Sequence, residues 1–346
     1  MSPQHRDGVA TPGDERIRGL PLPDYEESGP EMSSPPIAVL GENLVDLLVA
    51  HDGSVNAVIG GGPLNVARTI GRLGGDARFI SGVSADAFGT FVRDALTDSH
   101  VTIALDAARE EPTTLAVVEL NPRGPRYHFH LNDTAAFALG AEETTRALNA
   151  VTGLAAIYFG TLGVLVEPMA SLGEALVLNA AATTLVVIDP NCRPSAVRDH
   201  DAYRARVARL SARADVVKVS TEDLAYLYPA LSPLEGAHEL LALGATCVIV
   251  TDGAGPVTAL TREVEVRVDV AATEVVDTVG AGDALVGGFM TWWTGHGLTG
   301  QDLHTGATLR DAVAAAIEIS RLTCQRAGAQ PPRRDEVIAL DDWRWL

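Results

Sequence analysis

From residue 140 the sequence alternates between helical and extended stretches, and few folds accommodate that pattern. A helical stretch at 141–150 leads to LAAIYFG, and one at 167–182 to TLVVIDP. Another at 200–213 leads to DVVKVS, and one at 233–243 to CVIVTDG. Strands alternating with helices imply βαβ units and a parallel sheet. The chain is therefore predicted to be α/β, with one doubly wound, mainly parallel sheet flanked by helices. Ligands bind such sheets outside the carboxyl ends of the strands. The segments that matter most are then the loops after strands: GEN, DPNCR, STED, TDGAG and DTVGAGD.

The first half is less regular. IAVLGENLVDLLVA reads as a buried strand that continues past a bend at residues 41–43. PLNVARTIGRLGG has helical spacing, with Pro63 in its first turn and Gly74 and Gly75 ending it. ARFISGV reads as a strand and AFGTFVRDALTDS as a helix. TTLAVVEL and RYHFHL are short strands joined by the turn-rich NPRGP. Segments near 50–60 and 101–131 break the alternation and are expected to form a small β lid over the sheet's carboxyl edge. After a β-rich patch at 256–276 come a long helix from about Gly282 and another at about 305–327. Residues 1–35 are polar, rich in Pro, Gly and Glu, and lack an apolar stretch typical of a secretory signal. They read as a disordered extension, which leaves 36–346 as the folded domain.

At 47% hydrophobic, the 346 residues supply ample core. With 26 basic against 45 acidic side chains, the net charge of −19 disfavours nucleic acid and anionic membranes as partners. No run of 18 apolar residues suggests a membrane span. Cys192, Cys247 and Cys324 form no CxxC pair and read as reduced thiols of a cytoplasmic protein. His128 and His130 alternate on one strand but have no third ligand at suitable spacing, so they read as lid packing.

DTVGAGDALVGGFMTWW carries the most chemistry. Gly280, Ala281 and Gly282 let a ligand approach the backbone, and an apolar helical run starts straight after. Such a helix N-terminus offers unpaired N–H groups and a positive dipole end to an anion such as a phosphoryl group. Asp283 lies in the first turn beside it. The segment is neither a GxxxxGK[ST] loop nor a dinucleotide GxGxxG, because position 285 is Leu. A tight turn with a carboxylate complementing the dipole would read the same. A second segment, GGGPLNVARTIGRLGG, places Gly60, Gly61, Gly62 and Asn65 at a strand-to-helix junction. The glycines suit close backbone approach by a polyhydroxyl ligand, and Asn65 supplies both a donor and an acceptor.

Together the two segments resemble the N- and C-terminal signatures of the ribokinase-like, or PfkB, carbohydrate kinases, over roughly 37–330. The resemblance implies a central sheet with a β lid, ATP and Mg²⁺ dependence, and dimerisation through the lid. It implies Asp283 as catalytic base, with Gly280, Ala281 and Gly282 stabilising charge on the transferring phosphoryl group. Asp46, Gly60, Gly61 and Asn65 match its sugar-binding positions. Ribokinases have Lys where Gly62 stands, and this departure points towards fructokinase-like members. DPNCR resembles a DxNxR segment of fructokinases and 2-keto-3-deoxygluconate kinases, with Arg193 reaching a phosphate or a substrate acid. The family's Mg²⁺-ordering NxxE motif becomes Ser220 and Asp223 here, and Asp223 is expected to act through Mg²⁺-bound water. Thr251, Gly253, Gly255, Thr278 and Gly328, with Ser220, match nucleotide-proximal positions. The resemblance also implies a monovalent cation such as K⁺ near Asp277 and Thr278.

RYHFHLNDTAAF resembles a fructokinase segment, so fructose is the expected substrate. 2-Keto-3-deoxygluconate follows, then ribose or a nucleoside. A sugar- or nucleotide-binding regulator without catalysis is the reading from a different class.

Overall fold

The computed structural model describes residues 34–105, 107–119 and 126–338. Most of the segment expected to be disordered, 1–33, lies outside these residues. Ser34, placed in that segment, already donates to the Gly74 carbonyl at 3.0 Å.

The apolar run after Ile37 makes two strands in two different sheets. β1 (Pro36–Leu40) enters the large sheet; beyond the bend, β2 (Leu44–Val49) pairs with β3 (Val55–Gly60) in a small one. Helix α1 (Gly62–Arg72) returns the chain to β4 (Asp76–Ile80), parallel to β1. Helix α2 (Ala87–Asp98) leads to β5 (Thr102–Ile103), which pairs with β4 in the large sheet. Residues 102–103, within the 101–131 segment expected to form the lid, therefore belong to the large sheet. The small sheet is completed by β6 (Leu115–Glu119) and β7 (Arg126–His130), in the order β3-β2-β6-β7.

The regular half then runs α3 (Ala141–Asn149), β8 (Ala156–Gly160), α4 (Met169–Leu178) and β9 (Leu185–Asp189). It continues through α5 (His200–Ser211), β10 (Val216–Ser220), a short α6 (Thr221–Leu227), α7 (Pro233–Leu243) and β11 (Cys247–Thr251). Strands β12 (Val257–Leu260) and β13 (Glu265–Val268) add an antiparallel edge. Helices α8 (Ala281–Gly295), α9 (Gly306–Cys324) and α10 (Arg334–Ile338) finish the described chain.

The large sheet has the order β13-β12-β11-β10-β9-β8-β1-β4-β5. The chain leaves β1 towards β4 on one side and later builds β8 to β11 on the other. The switch point therefore lies at β1, where doubly wound sheets bind ligands. Strand alternation sends Ile37 and Val39 into one hydrophobic core with residues of α1, α8 and α9; Ala38 and Leu40 face the other, with residues of α5 and α7. Helix α8 is buried on nearly every side, as its all-round apolar sequence requires. The N-terminus of this packed helix is held at the carboxyl edge of the sheet.

Candidate active site

Helix α8 starts from Gly280, whose φ of 76° suits glycine. A Cβ there would lie 2.5 Å from the Cβ of Ala329. The N-cap thus has no side chain, and no side chain caps the turn. The amides of Gly282 and Asp283 are left for an anion, while that of Ala281 donates to Thr278 O. Asp283, three residues on, is buried, and its Oδ2 accepts from Asn65 Nδ2 at 2.9 Å. This bond joins the first turns of α8 and α1, the two segments singled out by sequence. Gly62 lies alongside. A Cβ on it would stand 2.5 Å from Thr161 Cγ2 and 3.2 Å from Asp283 Oδ1. A lysine at this position would need its neighbours to move, which gives the departure from the ribokinase pattern a steric reason.

Beneath Asp283 is a polar floor on the α8 face of the sheet. In β8, β9 and β10, the residues Ala156, Leu185, Val187 and Val216 belong to the core on that face, together with Tyr158. The same alternation places Asp189 and Lys218 there. Lys218 Nζ is 3.1 Å from Asp189 Oδ2, and both side chains are buried. Among the described residues, the hydroxyl of Tyr158 and Oδ1 of Asp189 have no hydrogen-bond partner. Burial pushes Asp189 up to about 6 against the pull of Lys218. Burial would lower Lys218, but the carboxylates of Asp189, Asp223 and Asp283 outweigh it and raise the ammonium. Asp283 itself is raised by burial, with Asn65, Lys218 and Arg193 pulling the other way.

The sugar-binding candidates gather on the lid side. Asp46 sits on β2 opposite Val58 of β3, and its Oδ2 lies 2.2 Å from where a Gly60 Cβ would stand. Burial lifts Asp46 to about 6, and Arg193 opposes the rise. A Cβ on Gly61 would meet the Glu42 carbonyl at 2.8 Å, so this turn packs against the bend after β1. Arg193 is exposed and turned back on its own loop, with Nη1 donating to Asn191 Oδ1 at 2.6 Å. Asn191 holds a φ of 38°.

The nucleotide candidates occupy the adjoining strand ends. Ser220 and Thr251 end β10 and β11 side by side. Thr221 Oγ1 donates to Asp252 Oδ1 at 2.9 Å, tying the STED loop to the TDGAG loop that carries Gly253 and Gly255. Asp277 Oδ2 accepts from the Gly328 N–H at 2.9 Å, and Thr278 O accepts from Ala281 N–H at 3.2 Å. Asp277, Thr278 and Gly328 therefore form one cluster behind Gly280. Arg68 of α1 braces it, donating to Ala329 O at 3.0 Å.

One expectation needs correcting. Asp223 is buried, and protein donors already engage both of its oxygens. Oδ1 accepts from Cys192 N–H at 2.7 Å; Oδ2 accepts from Ser220 N–H at 2.8 Å and Ser220 Oγ at 2.9 Å. It closes a capping box with Ser220 and holds the DPNCR loop, which does not suit a carboxylate waiting for Mg²⁺-bound water. Sequence reasoning also passed over Glu42 and Lys218. Glu42 is buried, accepts from Thr161 Oγ1 and from Gly163 N–H at 3.0 Å, and is pushed up to about 7 by burial. A lone lysine inside the apolar run DVVKVS was the visible signal for Lys218. A separate groove of about 1290 Å³ lies between β7 and α5 and contains none of the expected site residues.

The pfkB family carbohydrate kinase model matches residues 37–336. The chain belongs to the pfkB family of carbohydrate kinases. Within the family it is similar to a fructokinase of Rhizobium leguminosarum bv. trifolii, 30% identical over 320 residues covering 89% of this chain and 94% of the relative. Among solved structures it is similar to fructokinase with bound ATP from Xylella fastidiosa, at TM-score 0.80 and 26% identity over 88% of this chain and 97% of that one. It is also similar to fructokinase from Vibrio cholerae O395 in its fructose-, ADP- and calcium-bound form, at TM-score 0.76 and 28% identity over 89% and 99%. No helix among the described residues is long and apolar enough to cross a membrane.

Proposed function

We propose that this pfkB-family kinase transfers the γ-phosphate of ATP to a hydroxyl of fructose, with Asp283 as the base. The observation that carries this reading is the Asn65–Asp283 bond, which brings the sugar-side and phosphate-side segments to one carboxylate. Loss of the hydroxyl proton makes the sugar oxygen a better nucleophile, and Asp283 Oδ1, facing the space left by Gly62, is the acceptor. Asn65 fixes the carboxylate's orientation through Oδ2. The uncapped amides of Gly282 and Asp283 in the α8 turn meet the negative charge of the transferring group. Phosphoryl transfer needs little else from a protein than positioning and electrostatics. Asp46, with Gly60 and Gly61 beside it, orients the other sugar hydroxyls, and the 251–255 loop and the Gly328 cluster border the nucleotide.

Mg²⁺ would neutralise phosphate charge and orient the γ-phosphate. Such an ion needs one or two carboxylates besides the phosphates and no protein cage. Among the described residues, no group of three or more His, Cys, Asp or Glu could hold a metal alone. Exposed Glu222 and Asp252 border the edge. A monovalent cation beside the 277–278 turn would use backbone oxygens, since both Asp277 oxygens accept protein N–H groups. Dimerisation through the lid and a cytoplasmic location complete the reading. Support for fructose comes from the relatives named fructokinase. 2-Keto-3-deoxygluconate stays as a second reading because Arg193 is exposed near Asp46 and suits an acid. ADP release with ATP and a panel of fructose, 2-keto-3-deoxygluconate and ribose tests this. Highest kcat/KM on fructose is expected; preference for the acid sugar would transfer the assignment, and no turnover on any sugar would favour a non-catalytic regulator.

A further inference from the structure

Burying a carboxylate makes it a worse anion, yet a base must be ionised before it can take a proton. Asp283 is in this position. Among the described residues its side chain has one hydrogen-bond donor, the neutral amide of Asn65, and the amide's own Oδ1 has no partner. The buried cation whose charge acts on Asp283 is Lys218. Its ammonium lies 3.0 Å from where a Cβ on Gly282 would stand, so it sits directly under the first turn of α8. Of its three N–H donors, one is used by Asp189, and the other two have no hydrogen-bond acceptor among the described residues. Alternation explains how it got there. Val216 and Lys218 share the face that meets α8, and Val217 and Val219 belong to the opposite core.

We propose that Lys218 is a positioning residue of the transfer reaction: its ammonium, seated beneath Gly282, is the counter-charge that lets the buried Asp283 stand ionised until the sugar hydroxyl arrives. This rests on the reading of Asp283 as the base. Lys218 does not touch the substrate; it acts through Asp283. Asp189 holds it in place. The glycine at 282 is then needed twice, since a side chain there would push the ammonium off its seat as well as obstruct the anion. Other groups also bear on this centre. Asp189 from β9 is a like charge that opposes ionisation, while Tyr158 from β8 is a neutral phenol held protonated by burial and by Asp189, Asp283 and Glu42. Asp223 from α6 is negative and acts on Lys218 and Asp189. Arg193 is the second cation felt by Asp283, but it is exposed and screened by water. Arg68 of α1 points to Ala329 instead.

The test is the pH dependence of kcat for wild type, Lys218→Met and Asp283→Asn, with KM for ATP measured alongside. An opposite charge within reach lowers an aspartate by about one to three pH units. Lys218→Met should therefore move the acid limb of kcat up by about one unit or more, approach the wild-type plateau at alkaline pH, and leave KM for ATP little changed. Replacing the buried pair together, Lys218→Met with Asp189→Leu, avoids an orphaned charge and should fold where the single variant does not. It should move the limb the same way by less. An unmoved acid limb in whichever variant folds, or a loss equal at all pH values, would overturn the role of Lys218. Turnover retained by Asp283→Asn would instead overturn the base on which the proposal rests.

Discussion

Helices α6 and α8 start at the same edge of the sheet, and each carries an aspartate at its third position. Asp223 follows Ser220 and Asp283 follows Gly280. The two carboxylates are both buried, but they do opposite things. Ser220 gives Asp223 a hydroxyl and an N–H to hold, so that carboxylate closes the helix end and pins the DPNCR loop. Gly280 has no side chain, and its left-handed backbone turns the strand-to-helix connection so that Asp283 faces Asn65 and the cleft by Gly62. A single N-cap residue decides whether a first-turn aspartate is a structural cap or is left available for chemistry.

The comparison can be broken most severely at Gly62. Gly62→Lys forces a Cβ to within 2.5 Å of Thr161 and fills the space beside Asp283. Misplacement of this size costs about 10²-fold, and a loss of at least that order in kcat is expected in the sugar-dependent ADP assay. Wild-type rates would show that the cleft is not the sugar's path.

Glu42 sharpens the contrast as a third buried carboxyl, one with a raised affinity for its proton. Its ordinary value near 4.5 rises to about 7 through burial. Its contribution to stability is therefore full below about pH 4.5 and is lost as pH rises through about 7, a change of roughly 3 kcal/mol. Glu42→Gln should flatten the fall in Tm between pH 5 and pH 8 by roughly 4 °C relative to wild type. Parallel profiles for the two proteins would remove Glu42 from the account.

Asp223→Ala strands the N–H groups of Cys192 and Ser220 and should cost about 1–3 kcal/mol of stability. Activity should fall as the Arg193 loop loosens, and extra Mg²⁺ should not restore it; rescue by Mg²⁺ would return Asp223 to the metal. Ser220→Ala removes only the cap, at about 1 kcal/mol, read as a small drop in Tm with kcat nearly unchanged.

The regular half of the fold was legible because hydrophobic period and length agree there. The helix expected at 233–243 is α7 (Pro233–Leu243), and DVVKVS holds β10. The lid was read less well. IAVLGENLVDLLVA looks like one strand, and only the fold shows its second half crossing to another sheet, where β2 pairs with β3 and β6. Asp283, Asn65 and the glycines could be picked from motif chemistry. The partner of Lys218 could not, because the Asp189–Lys218 contact spans two strands whose adjacency is set by sheet order. Asp223 misled for a related reason: a motif gives a residue's position, while its neighbours decide which of its oxygens stay available.

The most direct test places the two first-turn aspartates side by side: Asp283→Asn and Asp223→Asn, each measured for Tm, ATP binding and kcat on fructose. General-base catalysis contributes about 10²–10⁴-fold, so Asp283→Asn should lose that much kcat while ATP binding persists and Tm hardly moves. Asp223→Asn should keep kcat within about tenfold of wild type and lose Tm, because its loss acts on the cap and loop rather than on the proton. Turnover above about a tenth of wild type in Asp283→Asn, or an equal collapse of kcat at full stability in Asp223→Asn, would contradict the division of labour described here.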